Sequence, residues 1–200
     1  MKYDLTVGGF RPWQPSTWPE APNAWDPEFM HVVVAIFDET IVREIENVIA
    51  DVLKSNGSLA HRGHVVALSL LCAIDTVSSY AYKDLESITC QTCGRGDRVG
   101  PRYKEFIERH FPAPYPAHAH RLYSLYRNSL VHSWHLFRVA VLPGDEPVEV
   151  TEGGLSFGLL HFRDAFTMSI RNFLTTLDSD AALQRSVLKR YGELRATATP

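Results

Sequence analysis

Val65-Val-Ala-Leu-Ser-Leu-Leu-Cys-Ala-Ile74 is the stretch on which the fold turns. With its flanks it runs from about Gly63 to Tyr82, too long for a strand. It is apolar on most sides of a helix rather than along one stripe, which predicts a central helix with neighbours all round. Cys72 inside it reads as a core residue. Asp75 closes the apolar run, and a carboxylate there is costly unless it is capped, hydrated or paired. It is therefore also a candidate for holding an arginine in a site.

Upstream, Asp26-Pro27-Glu28 starts a helix, with Asp as the cap, Pro at the first helical position and an acid in the first turn. Val33, Phe37, Ile41, Ile45, Ile49 and Val52 then recur at helical spacing, and Ser55-Asn56-Gly57 is a stop. One long helix is expected. Before it, Pro12, Pro15, Pro19, Pro22 and Pro27 rule out a regular element. Trp13, Trp18 and Trp25 predict that residues 1–25 form an extended arm anchored on the body by its indoles.

Downstream, Asp84 to Gly100 reads as a loop and Pro101–His110 as a short helix with Tyr103, Phe106 and Ile107 inward. The alternate prolines from Phe111 to Pro116 end it. A further helix begins near Ala117 and includes Leu122, Tyr123, Leu125, Tyr126 and Leu130. Residues 136–157 are expected to form a β-hairpin insertion, Leu136–Leu142 with Val148–Thr151, and Leu155–Phe157 as a third strand. Two helices close the chain, marked by Phe162, Phe166, Ile170, Phe173 and Leu177, then by Leu183, Val187, Tyr191 and Leu194. Asp178 and Ser179 are the capping candidates between them. The expected fold is thus a single, mostly α domain over residues 1–200.

The bulk properties narrow the classes. The chain has 200 residues, 45% hydrophobic and 22% charged, which suits one buried core. No signal-like run opens the chain, and no apolar stretch approaches the roughly 20 residues that span a bilayer. Three cysteines are too few for a disulfide framework, so a reducing cytoplasm is the expected setting. The net charge of −3 argues against non-specific coating of nucleic acid. Its distribution is uneven. Residues 95–128 carry seven Lys/Arg against three acids, a balance of +4 that leaves −7 on the remainder. Such a face suits an anion, or is merely hydrated.

Motifs for chemistry are sparse. Cys90-Gln-Thr-Cys93-Gly has the spacing of half a zinc knuckle, but no second pair exists, and only His118 and His120 could complete a mixed site. No metal or other cofactor is assigned. Phosphate loops, nucleophile elbows and His-Glu-x-x-His are absent from the sequence. What remains is Leu125-Tyr-Arg-Asn-Ser-Leu-Val-His132. Histidine exchanges a proton near neutral pH, and arginine holds a phosphate through two parallel hydrogen bonds. Together they suit metal-free attack of a 2′-hydroxyl on the adjacent phosphorus.

At Arg127-Asn128…His132 the chain resembles the HEPN superfamily. These are helical proteins whose ribonuclease members carry Arg-x(4–6)-His, commonly with a polar residue after the arginine. With so many arginines and histidines the bare spacing arises about twice by chance, so the weight rests on the Tyr-Arg-Asn start and the Leu-Val-His end. The resemblance implies a HEPN-like bundle and a homodimer with the motif near the subunit interface. It also implies metal-independent endoribonuclease activity, often in toxin or defence systems that include an antitoxin protein. The implied roles are His132 as general acid/base, Arg127 as phosphate clamp and Asn128 as the orienting group. Tyr126, Arg121 and His120 would contact RNA or a nucleotide phosphate, with Asp75 behind them. The alternative is a non-catalytic module of the same type that binds nucleotide, RNA or protein. On a regular helix, residues five apart point about 140° apart, so Arg127 and His132 need a helix break or a second subunit to share one phosphate.

Overall fold

The computed structural model describes residues 2–5, 9–54, 59–85, 88–89, 96–97, 99–125, 139–142, 144–151 and 154–198. Among them the chain is mostly helical, with small β elements.

The first helical stretch comprises α1 (Met30–Ile36), a π-helical turn (Phe37–Val42) and α2 (Arg43–Lys54). Asp26 caps its entry by accepting the Glu28 amide at 3.0 Å, as the sequence suggests. The expected face, Val33, Phe37, Ile41, Ile45, Ile49 and Val52, is buried throughout. The π turn is the departure from one regular helix. Its Thr40 hydroxyl bonds back to the Ile36 carbonyl, which loosens the local ladder. The stop expected at Ser55-Asn56-Gly57 lies outside the described residues.

α3 (Leu59–Ala81) is the central helix. Val66, Ala67, Leu70, Leu71, Ile74 and Val77 are buried, packed against α4 (Val99–His110), α2 and the C-terminal helices. It is not wrapped on every side. Val65 is 40% exposed and Cys72 is exposed too, so the reading of Cys72 as a core residue is corrected. Both lie on the side of α3 that the neighbouring helices leave uncovered. The Gly63–Ala81 part is long and apolar enough to cross a membrane, contrary to the sequence expectation, and more than half of it is buried inside the fold.

The expected Asp84–Gly100 loop contains a two-residue antiparallel ladder, β1 (Ile88–Thr89) with β2 (Gly96–Asp97). α4 then buries Tyr103, Phe106 and Ile107 as expected, together with His110. A 3-10 turn (Tyr115–His118) leads into α5 (Ala119–Leu125).

The β-rich segment corrects the expected hairpin. β3 (Val139–Leu142) does not pair with β4 (Glu149–Thr151). The order is β3-β5-β4, with β5 (Gly154–Gly158) central, parallel to β3 and antiparallel to β4. The reason lies in the segment between β3 and β4. Instead of a tight turn it folds over the end of β5, where Gly158 N donates to Glu146 O at 2.8 Å and Leu160 N to Gly144 O at 3.1 Å. A side chain at Gly158 would meet the Glu146 carbonyl at 2.6 Å, so only glycine allows this approach.

α6 (Leu159–Ser179) and α7 (Ala181–Ala198) close the chain. Their corner is capped from both sides. Asp180, rather than Asp178 or Ser179, accepts the amides of Ala182 (2.8 Å) and Leu183 (3.1 Å). Gln184 reaches back to the last carbonyls of α6, Leu177 O (3.0 Å) and Asp178 O (3.2 Å). The N-terminal arm lies on α7. Trp18 stacks on Tyr191 at 4.9 Å, the Tyr191 hydroxyl donates to Pro19 O at 2.7 Å, and Arg195 Nε donates to Trp18 O at 3.0 Å. Trp25 packs edge-on against Phe29. Trp13 is 66% exposed and is no anchor.

Candidate functional site

The candidate segment continues from α5. That helix buries Ala119, Leu122, Tyr123 and Leu125, and it leaves His120 and Arg121 exposed. Tyr123 packs on Tyr103 at 5.5 Å, which ties α5 to α4. Tyr126, Arg127, Asn128 and His132 lie outside the described residues, as do Cys90 and Cys93.

Asp75 holds an arginine, and the one the structure gives it is Arg102 of α4, with Nη2 to Oδ1 at 2.6 Å. Both side chains are half-buried, which strengthens the ion pair relative to one in open water. Arg102 precedes Tyr103, so the pair sits one residue from the ring contact that positions α5.

Two polar clusters escaped the sequence reading. In the first, the Tyr82 hydroxyl and His110 Nε2 are 2.8 Å apart, and His110 Nδ1 is buried without a partner among the described residues. Phe106 and Phe173 enclose the imidazole. Burial, helped by the neighbouring Arg109 charge, pushes His110 down to about 4, so the ring is neutral at neutral pH. Burial likewise pushes the Tyr82 phenol up to about 12, against the pull of Arg109, whose guanidinium lies 5.5 Å from the ring centre. Asn172 closes the cluster by donating to His110 O at 2.8 Å. Neither group of this pair changes protonation near neutral pH, so the cluster is poorly suited to acid–base chemistry there. One signal could have exposed it. His110 falls at i+7 from Tyr103, on the same face as Phe106 and Ile107.

In the second cluster, the Tyr115 hydroxyl and His161 Nδ1 are 2.7 Å apart with their rings stacked. It joins the 3-10 turn before α5 to the start of α6. Burial raises the Tyr115 phenol, and the charges of Asp145 and Asp164 add to the rise. Among the described residues no three His, Cys, Asp or Glu side chains converge as a metal site would require.

No family model, curated protein or solved structure matches the chain.

Proposed function

We propose that the chain is a HEPN-like homodimeric endoribonuclease that works without a metal, with Arg127, Asn128 and His132 as its site. One observation carries the reading. The Tyr126-Arg127-Asn128…His132 segment directly follows a helix whose exposed residues, His120 and Arg121, can hold the phosphates of a bound strand. His132 takes the proton of a ribose 2′-hydroxyl as its oxygen attacks the adjacent phosphorus. Arg127 holds the phosphate oxygens as negative charge builds on them. The bond to the 5′-oxygen breaks and that oxygen takes up a proton, leaving a 2′,3′-cyclic phosphate and a free 5′-hydroxyl. Asn128 orients one of the two reacting groups. A second subunit would meet the geometric requirement that Arg127 and His132 share one phosphate. A reducing cytoplasm and a neutralising antitoxin protein fit this reading.

The test is cleavage of single-stranded RNA in the presence of a chelator. Wild-type protein is expected to cut, and His132→Ala to lose cutting while keeping its circular dichroism spectrum and melting temperature. Equal cutting by His132→Ala removes the mechanism.

A second reading, a non-catalytic nucleotide-, RNA- or protein-binding module, is favoured by the −7 balance outside residues 95–128, which opposes strong RNA binding. Retention of RNA without cleavage by wild-type protein would select it.

A further inference from the structure

We draw no further inference here: the strongest candidate, the apolar groove of about 470 Å³ between the N-terminal arm, α2 and α3, carries nothing because no feature of the structure shows what covers it.

Discussion

His110 shows how one side chain can carry a pH dependence for the whole fold. In the unfolded chain its imidazole titrates near 6.5; in the folded protein burial holds it at about 4. Between these values the unfolded state binds more protons, so stability falls as pH drops through 6.5 and the loss is complete below about 4. The shift corresponds to about 3 kcal/mol. Urea unfolding of wild-type protein and of His110→Phe at several pH values should show this loss only in the wild type. Equal slopes in the two proteins would mean that the imidazole is not held neutral. Asp75 gives the complementary lesson. From sequence its carboxylate at the end of an apolar run needed a partner, and Arg102 supplies one. The identity of that partner was not readable, because Arg102 lies on a different helix and no local spacing links the two.

At the level of elements, the helices were readable because their buried faces recur at a fixed period. Phe162, Phe166, Ile170, Phe173 and Leu177 of α6 are all buried, as are Leu183, Val187 and Tyr191 of α7. The π turn left a trace that the period alone hides. Val33, Phe37, Ile41, Ile45 and Ile49 are each four apart, and on a regular helix every such step drifts about 40° around the axis. Four steps would carry the last residue well off the face of the first. A wider turn in the middle takes up that drift and keeps all five buried. Strand pairing was less legible, because alternation identifies strands and not their neighbours. The order β3-β5-β4 depends on a chain segment crossing over Gly158. The cap of α7 offers a direct check. Asp180→Ala removes the acceptor of two amides and should lower stability by about 1 kcal/mol in urea unfolding. Asp178→Ala should change it by a few tenths at most.

Across the whole molecule, the candidate segment and the apolar groove of about 470 Å³ between the arm, α2 and α3 differ in how legible they are in sequence. Tyr126, Arg127, Asn128 and His132 are adjacent in sequence, so a motif can name them. The groove draws on the arm, α2, α3 and α7, and no segment alone carries its signal. Its rim depends on Trp18, which is 5% exposed and joins the arm to Tyr191. Trp18→Ala should cost about 3 to 5 kcal/mol by emptying that position. It should also speed proteolysis between residues 9 and 20 relative to the wild type. A variant with wild-type stability and an uncut arm would show that the stack is dispensable.

The same stack has a consequence in time. Pro19 and Tyr191 are 172 positions apart, and Trp18 and Arg195 are 177 apart. At ordinary rates of synthesis the arm leaves the ribosome on the order of ten seconds before α7 does. Through that interval the indole of Trp18 and the ring of Phe29, both of which pack on Tyr191, lack their final neighbour. During synthesis the arm therefore carries an apolar patch that stays uncovered until α7 emerges and brings Tyr191 to it.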